Sequence, residues 1–332
     1  MKQPLVQNVQ NKLILNKAID MGMECRPLIP GCEDFLELSY IGKQIVINKT
    51  RSDKLPLIAG LLAKNKDASS HLLKRAGLPV PGYIVLSQMG DEAVRFMHMN
   101  KSVVVKPLDA SCSAGVTLGI EKEYELENAI KAASSYSEKI IIQKYIDGYD
   151  YRVLVIDGRV VGVLEYQPAF IQGDGISTIK QLIDQLNEER LGRDTAGDFD
   201  SMKRISTGSN RLLFNLGNQG KGLLDILGKG ERVQLFFSGD VSTEEELTEI
   251  IIDRTEEICP VNAGFAIQAA KALRIDVAGI DIRCKNISVP LDRSTGGILE
   301  VNALPDFMDH VFPFRGASRD VAKAYLQYLI KE

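Results

Sequence analysis

The sequence predicts an α/β protein of the α+β kind, built from several small lobes, and three observations carry that expectation. Short β-branched runs, "SVVVKPL" at 102–108 and "KIIIQKYI" at 139–146, are separated by amphipathic helical stretches. Asp157-Gly158, a strong hairpin dipeptide, joins the apolar segments "DYRVLVI" and "RVVGVLEYQ". The chain's 332 residues, 45% of them hydrophobic, suffice for two or three lobes rather than one.

Residues 12–49 alternate helix-like and strand-like patterns. Lys12 to Met21 is amphipathic and ends near Gly22, and "QIVIN" at 44–48 alternates as a short strand. Residues 1–65 are therefore expected to form a small N-terminal α/β lobe. Lys66 to Ala76 reads as a helix stopped by Gly77 and Pro79. "YIVLS" at 83–87 is a strand and Glu92 to Met99 a helix. The strand 102–108 follows, then a loop of small residues at 109–115, a helix at 124–134 and the strand 139–146. This β-α-β-α-β order gives a central lobe over 66–145.

The third lobe, 146–332, opens with the hairpin. A helix at 177–189 has Ser177 or Thr178 as its cap. Residues 192–222 are rich in Gly, Ser, Asn and Asp and are expected to form a mobile loop. A helix at 260–273, strands at 276–284 and 296–304, and a helix at 316–330 capped near Ser318 complete the chain.

Composition excludes several classes. The formal net charge is -4, with 25% charged residues, so nothing draws the chain as a whole to nucleic acid or anionic membrane. No run reaches the roughly 18 apolar residues of a membrane span. The polar start "MKQPLVQNVQNK" does not read as a signal peptide, which leads us to expect a cytoplasmic protein. Five cysteines without a C-x-x-C argue against a disulfide framework and structural zinc. Three scattered histidines leave hard-cation chemistry on oxygen ligands as the expected metal chemistry.

Three constellations carry chemistry. Glu300 and Asn302 are two apart on one strand and share a face; Asp281 sits in the neighbouring apolar strand "VAGIDI". Two carboxylates and an amide suit Mg²⁺, while strand-end polar groups bonded to loops are an equally simple reading. Lys106 ends a strand before the small-residue loop, where a lysine and loop N–H groups contact phosphates; an ordinary surface lysine is the alternative. "QKYIDGYDYR" at 143–152 offers backbone groups for an adenine slot with Asp150 near ribose, or is a plain strand connection. "GLLDILGKG" at 222–230 fails as a Walker loop, having five residues between its glycines and Gly230 where Ser or Thr is required. No G-x-G-x-x-G follows a strand, which excludes a dinucleotide fold.

Taken in order, six stretches resemble the ATP-grasp superfamily. They are "KDASSHLLKRAGLPVPG", "VVVKPLDASCSAGVTLGI", "QKYIDGYDYRVLVIDGRVVGV", "GDGISTIKQLIDQLN", "DVAGIDI" and "GGILEVNALP". The likeness is greatest to the ATP-grasp domain of cyanophycin synthetase and of bifunctional glutathione synthetase. The resemblance implies an ATP-grasp fold with ATP held between two α+β lobes. It implies that Lys66 and Lys106 hold the phosphates and that the 109–115 loop, with Ser111, Ser113 and Gly115, closes over them. Gln143, Lys144 and Ile146 would line the adenine slot, Asp150 would bind ribose, and Asp281, Glu300 and Asn302 would hold two Mg²⁺, or Mn²⁺ in their place. The arginine at the substrate carboxylate would be Arg152, Arg204 or Arg211.

There are departures from the family pattern. Gln143 stands where Glu is usual, "STEEELTE" at 242–249 replaces a Gly-rich segment, and "NALPDFMDH" replaces "NAGPGLRMH". The implied reaction joins a carboxylate to an amine through an acyl phosphate, with small amino-acid or peptide substrates, no nucleic acid, no membrane and a homo-oligomer as a common assembly. A glutathione-like peptide ligase, a nucleotide-binding regulator without turnover, and a carboxylate kinase are the other readings.

Overall fold

The computed structural model of the protein describes residues 6, 8–109, 115–191, 204–237, 248–292 and 294–331. The chain opens with α1 (Val9–Asp20), capped by the Asn8 side chain, which accepts from the Asn11 backbone N–H. A meander follows, β1 (Glu24–Ile29), β2 (Cys32–Tyr40) and β3 (Lys43–Ile47), antiparallel in the order β1-β2-β3. Next come α2 (Leu57–Lys64) and α3 (Lys66–Arg75). Asn65 separates them: it has extended backbone, and its side chain caps α3 by accepting from the Ala68 N–H.

The middle of the chain forms β4 (Tyr83–Leu86), α4 (Asp91–Asn100), β5 (Val103–Pro107), β6 (Thr117–Ile120), α5 (Glu123–Ser134) and β7 (Ile140–Lys144). Its four-stranded sheet has the order β4-β7-β5-β6. Phe96, Met97, Val103, Val105, Leu126 and Ile142 belong to a core of its own beneath α4 and α5.

A larger five-stranded sheet, in the order β12-β9-β8-β13-β14, is antiparallel throughout. Its strands are β8 (Tyr149–Ile156), β9 (Arg159–Pro168), β12 (Glu249–Asp253), β13 (Val277–Cys284) and β14 (Gly296–Asn302). Asp157 (φ 50°) and Gly158 (φ 69°) turn β8 into β9, both in the left-handed region that a tight hairpin demands. The short ribbon of β10 (Phe170–Gln172) and β11 (Arg232–Gln234) flanks it, with α6 (Ile179–Leu191) and α7 (Asn210–Asn218). The remaining helices are α8 (Pro260–Leu273), α9 (Met308–Val311) and α10 (Val321–Ile330).

The two faces of this sheet differ. Val153, Val163, Ile280, Ile282, Ile298 and Val301 pack under α2, α3 and α8. On the other face, Leu154, Ile156 and Val277 pack with Tyr325, Phe307 and the meander's Leu36 and Leu38. Between that apolar end and the four-stranded sheet the face is polar. The β13–β14 register shifts once, between Asp281↔Glu300 and Ile282↔Ile298, so Leu299 has no opposite residue.

Several expectations need correction. Residues 192–222 are not a loop throughout: α7 lies within them, capped by Ser209, while 192–203 lie outside the described residues. The helix α3, assigned by sequence to the 66–145 lobe, packs instead with α8 and β14, its Leu73 in their core. The last helix starts at Val321, and its cap is Asp320, not Ser318. No described helix is long and apolar enough to cross a membrane.

Candidate nucleotide and metal site

The alternation of β8, β13 and β14 puts charged residues on the polar face in rows. In the first row Asp281 has Arg152 across on one side and Glu300 on the other. Arg152 donates twice, Nε to Asp281 Oδ1 at 2.8 Å and Nη2 to Oδ2 at 2.9 Å. Asn302 Nδ2 adds a bond to Asp281 Oδ2 at 2.9 Å. The Asp281 charge holds the Arg152 guanidinium well above the ordinary arginine pKa. Burial, then the Asp281 charge, pushes the Glu300 carboxyl up, against the pull of Lys66 and Lys106. Glu300 has no hydrogen-bond or ion-pair partner among the described residues.

The next row pairs Asp150 with Arg283. Arg283 Nη1 donates to Asp150 Oδ2 at 2.7 Å, and its Nε donates to the Ile146 carbonyl at 2.7 Å. Asp150, expected near ribose, is thus already tied to a buried arginine, and the Ile146 carbonyl in the expected adenine slot is occupied.

The four-stranded sheet faces these rows with Lys106, whose Nζ donates to Gln143 Oε1 at 3.0 Å. Burial brings the Lys106 ammonium down to about 8; Glu300 and Asp150 pull it back up, and Lys66 pushes it further down. Lys106, Lys66, Glu300 and Asp150 therefore act on one another across a single cleft. Lys66 is the first residue of α3, which places it at that cleft. At Gly115 (φ +70°) a Cβ would lie 2.7 Å from the Tyr136 ring and 2.9 Å from Pro107, so only glycine fits. Lys144 donates its backbone N–H to the Gly82 carbonyl at 2.8 Å. Ser111 and Ser113 lie outside the described residues. Arg204 and Arg211 are exposed near α7, and neither is among the charges that principally act on Asp150, Arg152 or Glu300.

Residues that the sequence reading missed complete the face. Tyr166 OH lies 3.3 Å from Asp309 Oδ2. Burial and the charges of Asp150 and Asp309 push the Glu249 carboxyl up to about 7. His310 is fully buried with neither ring nitrogen hydrogen-bonded, and burial and the Arg152 charge bring it down to about 3. Gly162 abuts it, since a Cβ there would lie 2.5 Å from His310 Nδ1. Arg283 had a usable signal: Asp281-x-Arg283 and Asp150-x-Arg152 are matched spacings of two on paired strands. Glu249 and His310 had none, because their positions come from sheet order and a short loop.

Among the described residues no three His, Cys, Asp or Glu side chains form a metal cluster. The candidate set is two carboxylates and an amide, and it fits a divalent cation on one observation: Glu300 is partly buried, without a hydrogen-bond or ion-pair partner among the described residues, and beside a second carboxylate.

Comparison with known proteins agrees with this geometry. Residues 63–174 match the RimK-like ATP-grasp domain. The chain is 36% identical over 300 residues to the cyanophycin synthetase of Geminocystis herdmanii, covering 90% of this chain and 34% of that protein. It is 28% identical over 327 residues to the glutathione biosynthesis bifunctional protein of Clostridium perfringens, covering 97% of this chain and 41% of that one. The chain thus spans about a third of the cyanophycin synthetases it matches and about two fifths of the glutathione biosynthesis protein. A crystal structure of a bifunctional glutathione synthetase from Pasteurella multocida superposes with a TM-score of 0.74 at 24% identity, covering 96% of this chain and 44% of that one. Cleft, sheets and matches converge: residues 63–174 carry a match to the RimK-like ATP-grasp domain, and the chain has the ATP-grasp fold.

Proposed function

We propose that the chain is an ATP-dependent, ADP-forming carbon–nitrogen ligase that activates a carboxylate as an acyl phosphate and transfers it to an amine. The observation that carries this is the cleft itself. Among the described residues Lys106, with Gln143 as its one hydrogen-bond partner, faces Glu300, a carboxylate without a hydrogen-bond or ion-pair partner, across it. A cation without a carboxylate partner suits an anion such as a polyphosphate, and an unpartnered carboxylate suits a metal bound to that polyphosphate. The names of its relatives, cyanophycin synthetase and a glutathione biosynthesis protein, point to amino-acid or peptide substrates.

In this reading Lys66 and Lys106 orient the phosphates, Gln143, Lys144 and Ile146 border adenine, and Asp150 with Arg283 borders ribose. Asp281, Glu300 and Asn302 would hold Mg²⁺, two ions at most, which when bound neutralises charge developing on the transferred phosphoryl group. Arg152 Nε and Nη2 are fixed on Asp281, and Nη1 has no hydrogen bond among the described residues, so it is turned to the substrate carboxylate. Catalysis is then positioning plus electrostatic stabilisation. With ¹⁸O in the substrate carboxylate, one label should appear in the released phosphate, because that oxygen attacks the γ-phosphorus. AMP as the product, or unlabelled phosphate, would sink the mechanism.

A further inference from the structure

Gln143, on β7, is 4% exposed and sits on the cleft face beside Lys106. An ammonium has donors and no acceptor, so the 3.0 Å bond from Lys106 Nζ fixes the amide's orientation. Oε1 is turned to the lysine, and Nε2 is the group left over. Nε2 has no hydrogen bond among the described residues and is not sealed from solvent. Its two N–H groups and those of Lys106 make a corner of donors. Oε1 keeps a second lone pair, but its attraction for a further N–H is opposed by the adjacent Lys106 charge. A nearly buried donor without an acceptor is unfavourable until a ligand supplies one.

The two sheets place this corner on the side of the cleft away from the metal row. On the five-stranded sheet, Arg283 with Asp150 lies two residues along β13 from Asp281. On the four-stranded sheet, Lys106 is opposite Ile141, and Gln143 is two residues further along β7. That direction leads to Ile146, whose carbonyl accepts from Arg283 Nε. Both steps therefore run toward Arg283. A nucleotide with its phosphates at Lys106 and the Asp281–Glu300 row, and its ribose at Asp150, has its base on the Gln143 side.

We infer that Gln143 sets the choice of base: its free N–H groups favour a purine that accepts at position 6, so the chain takes a 6-oxopurine triphosphate, ITP or GTP, at least as well as ATP. On the edge that carries position 6, adenine offers N7 as an acceptor and its amino group as a donor. Guanine offers two acceptors there, O6 and N7, and hypoxanthine has the same pair. The amino group meets N–H groups and leaves them unpaired, whereas the keto oxygen takes one. Glutamate, usual at this position in the family pattern, would set a second carboxylate oxygen there and suit adenine instead.

This inference rests on the nucleotide reading of the cleft, and binding separates the two. The full chain with Mg²⁺, without acid or amine, is titrated calorimetrically with ATP and with ITP. The dissociation constant for ITP should lie about three- to tenfold below that for ATP, the worth of one hydrogen bond. Gln143→Glu should turn the ratio in favour of ATP, and Gln143→Leu should bring it close to one. Thermal melting confirms that each variant folds. Tighter binding of ATP than of ITP by the wild type overturns the inference. So does a ratio that neither substitution moves: an equal loss with both nucleotides would make Gln143 a phosphate contact. If the wild type binds neither nucleotide, the nucleotide reading falls and the choice of base with it.

Discussion

Two basic side chains face the same cleft from two sheets, and the fold treats them oppositely. Arg152, on the five-stranded sheet, is clamped by both Asp281 oxygens and held charged far beyond the ordinary range. Lys106, on the four-stranded sheet, has an amide oxygen for a partner and is brought down to about 8 by burial. The arginine is part of the wall, its charge already answered within the protein. The lysine is unanswered, and it is the one that gains most from an incoming anion. Structure and receptivity are thus assigned to different sheets.

The strongest way to break this contrast is to remove the arginine's partner. Asp281→Ala should abolish turnover and also destabilise the protein by about 2–3 kcal/mol. That is less than for a fully buried pair, since the two side chains keep 28% and 23% exposure. Urea unfolding checks the stability arm, and ADP release checks the other. Glu300→Gln should separate the two effects, losing about a hundredfold or more in turnover with no loss of stability, because it removes a charge that burial and Asp281 both oppose. A marked fall in its urea midpoint would show Glu300 to be structural.

Lys106→Ala should weaken ATP binding about ten- to a hundredfold, equivalent to roughly 1.5–3 kcal/mol. In the wild type the ammonium is charged below about 8, so calorimetric affinity should fall as pH rises through that value, and Lys106→Ala should lack that fall. The effect that shows only in acid, and is absent at neutral pH, belongs to His310, beside Arg152. Its folded pKa of about 3 lies below the unfolded 6.5, so the unfolded chain binds a proton that the folded one does not. Stability is therefore complete above pH 6.5 and declines toward pH 3, by roughly 1.4 kcal/mol per unit at most. His310→Leu should flatten that part of the urea-midpoint profile.

Much of this architecture was legible because the informative signals are local. Asp157-Gly158 marked its hairpin, Gly77 and Pro79 followed the end of α3, and "VAGIDI" marked a buried strand carrying one acid. Less legible was what depends on partners distant in sequence. Strand β1 escaped notice because Pro27 sits within it, tolerated since β1 is an edge strand. The helix α3 was joined to the wrong neighbours because its Leu73 meets β14 and α8 only after some two hundred residues of chain have folded back. In the cleft, Asp281, Glu300 and Asn302 were found by alternation, which the strands obey. Pairings such as Asp150 with Arg283 or Lys106 with Gln143 are set by register and sheet order, which composition does not encode.

The single unpaired residue Leu299 changes how β14 is written. Ile298 and Glu300 are two apart, so a regular strand would send both to the same side, yet Ile298 lies in the apolar core while Glu300 sits opposite Asp281. The strand is spelled in two reading frames, one addressed to the helices and one to the cleft, with Leu299 as the frameshift between them. Losing that one letter would not shorten the acidic strand. It would merge the two frames into one unbroken ladder, with Ile298 still opposite Ile282 and Glu300 still opposite Asp281; straightening the strand with Leu299 kept in the ladder is what would turn Glu300 and Asn302 toward the helices.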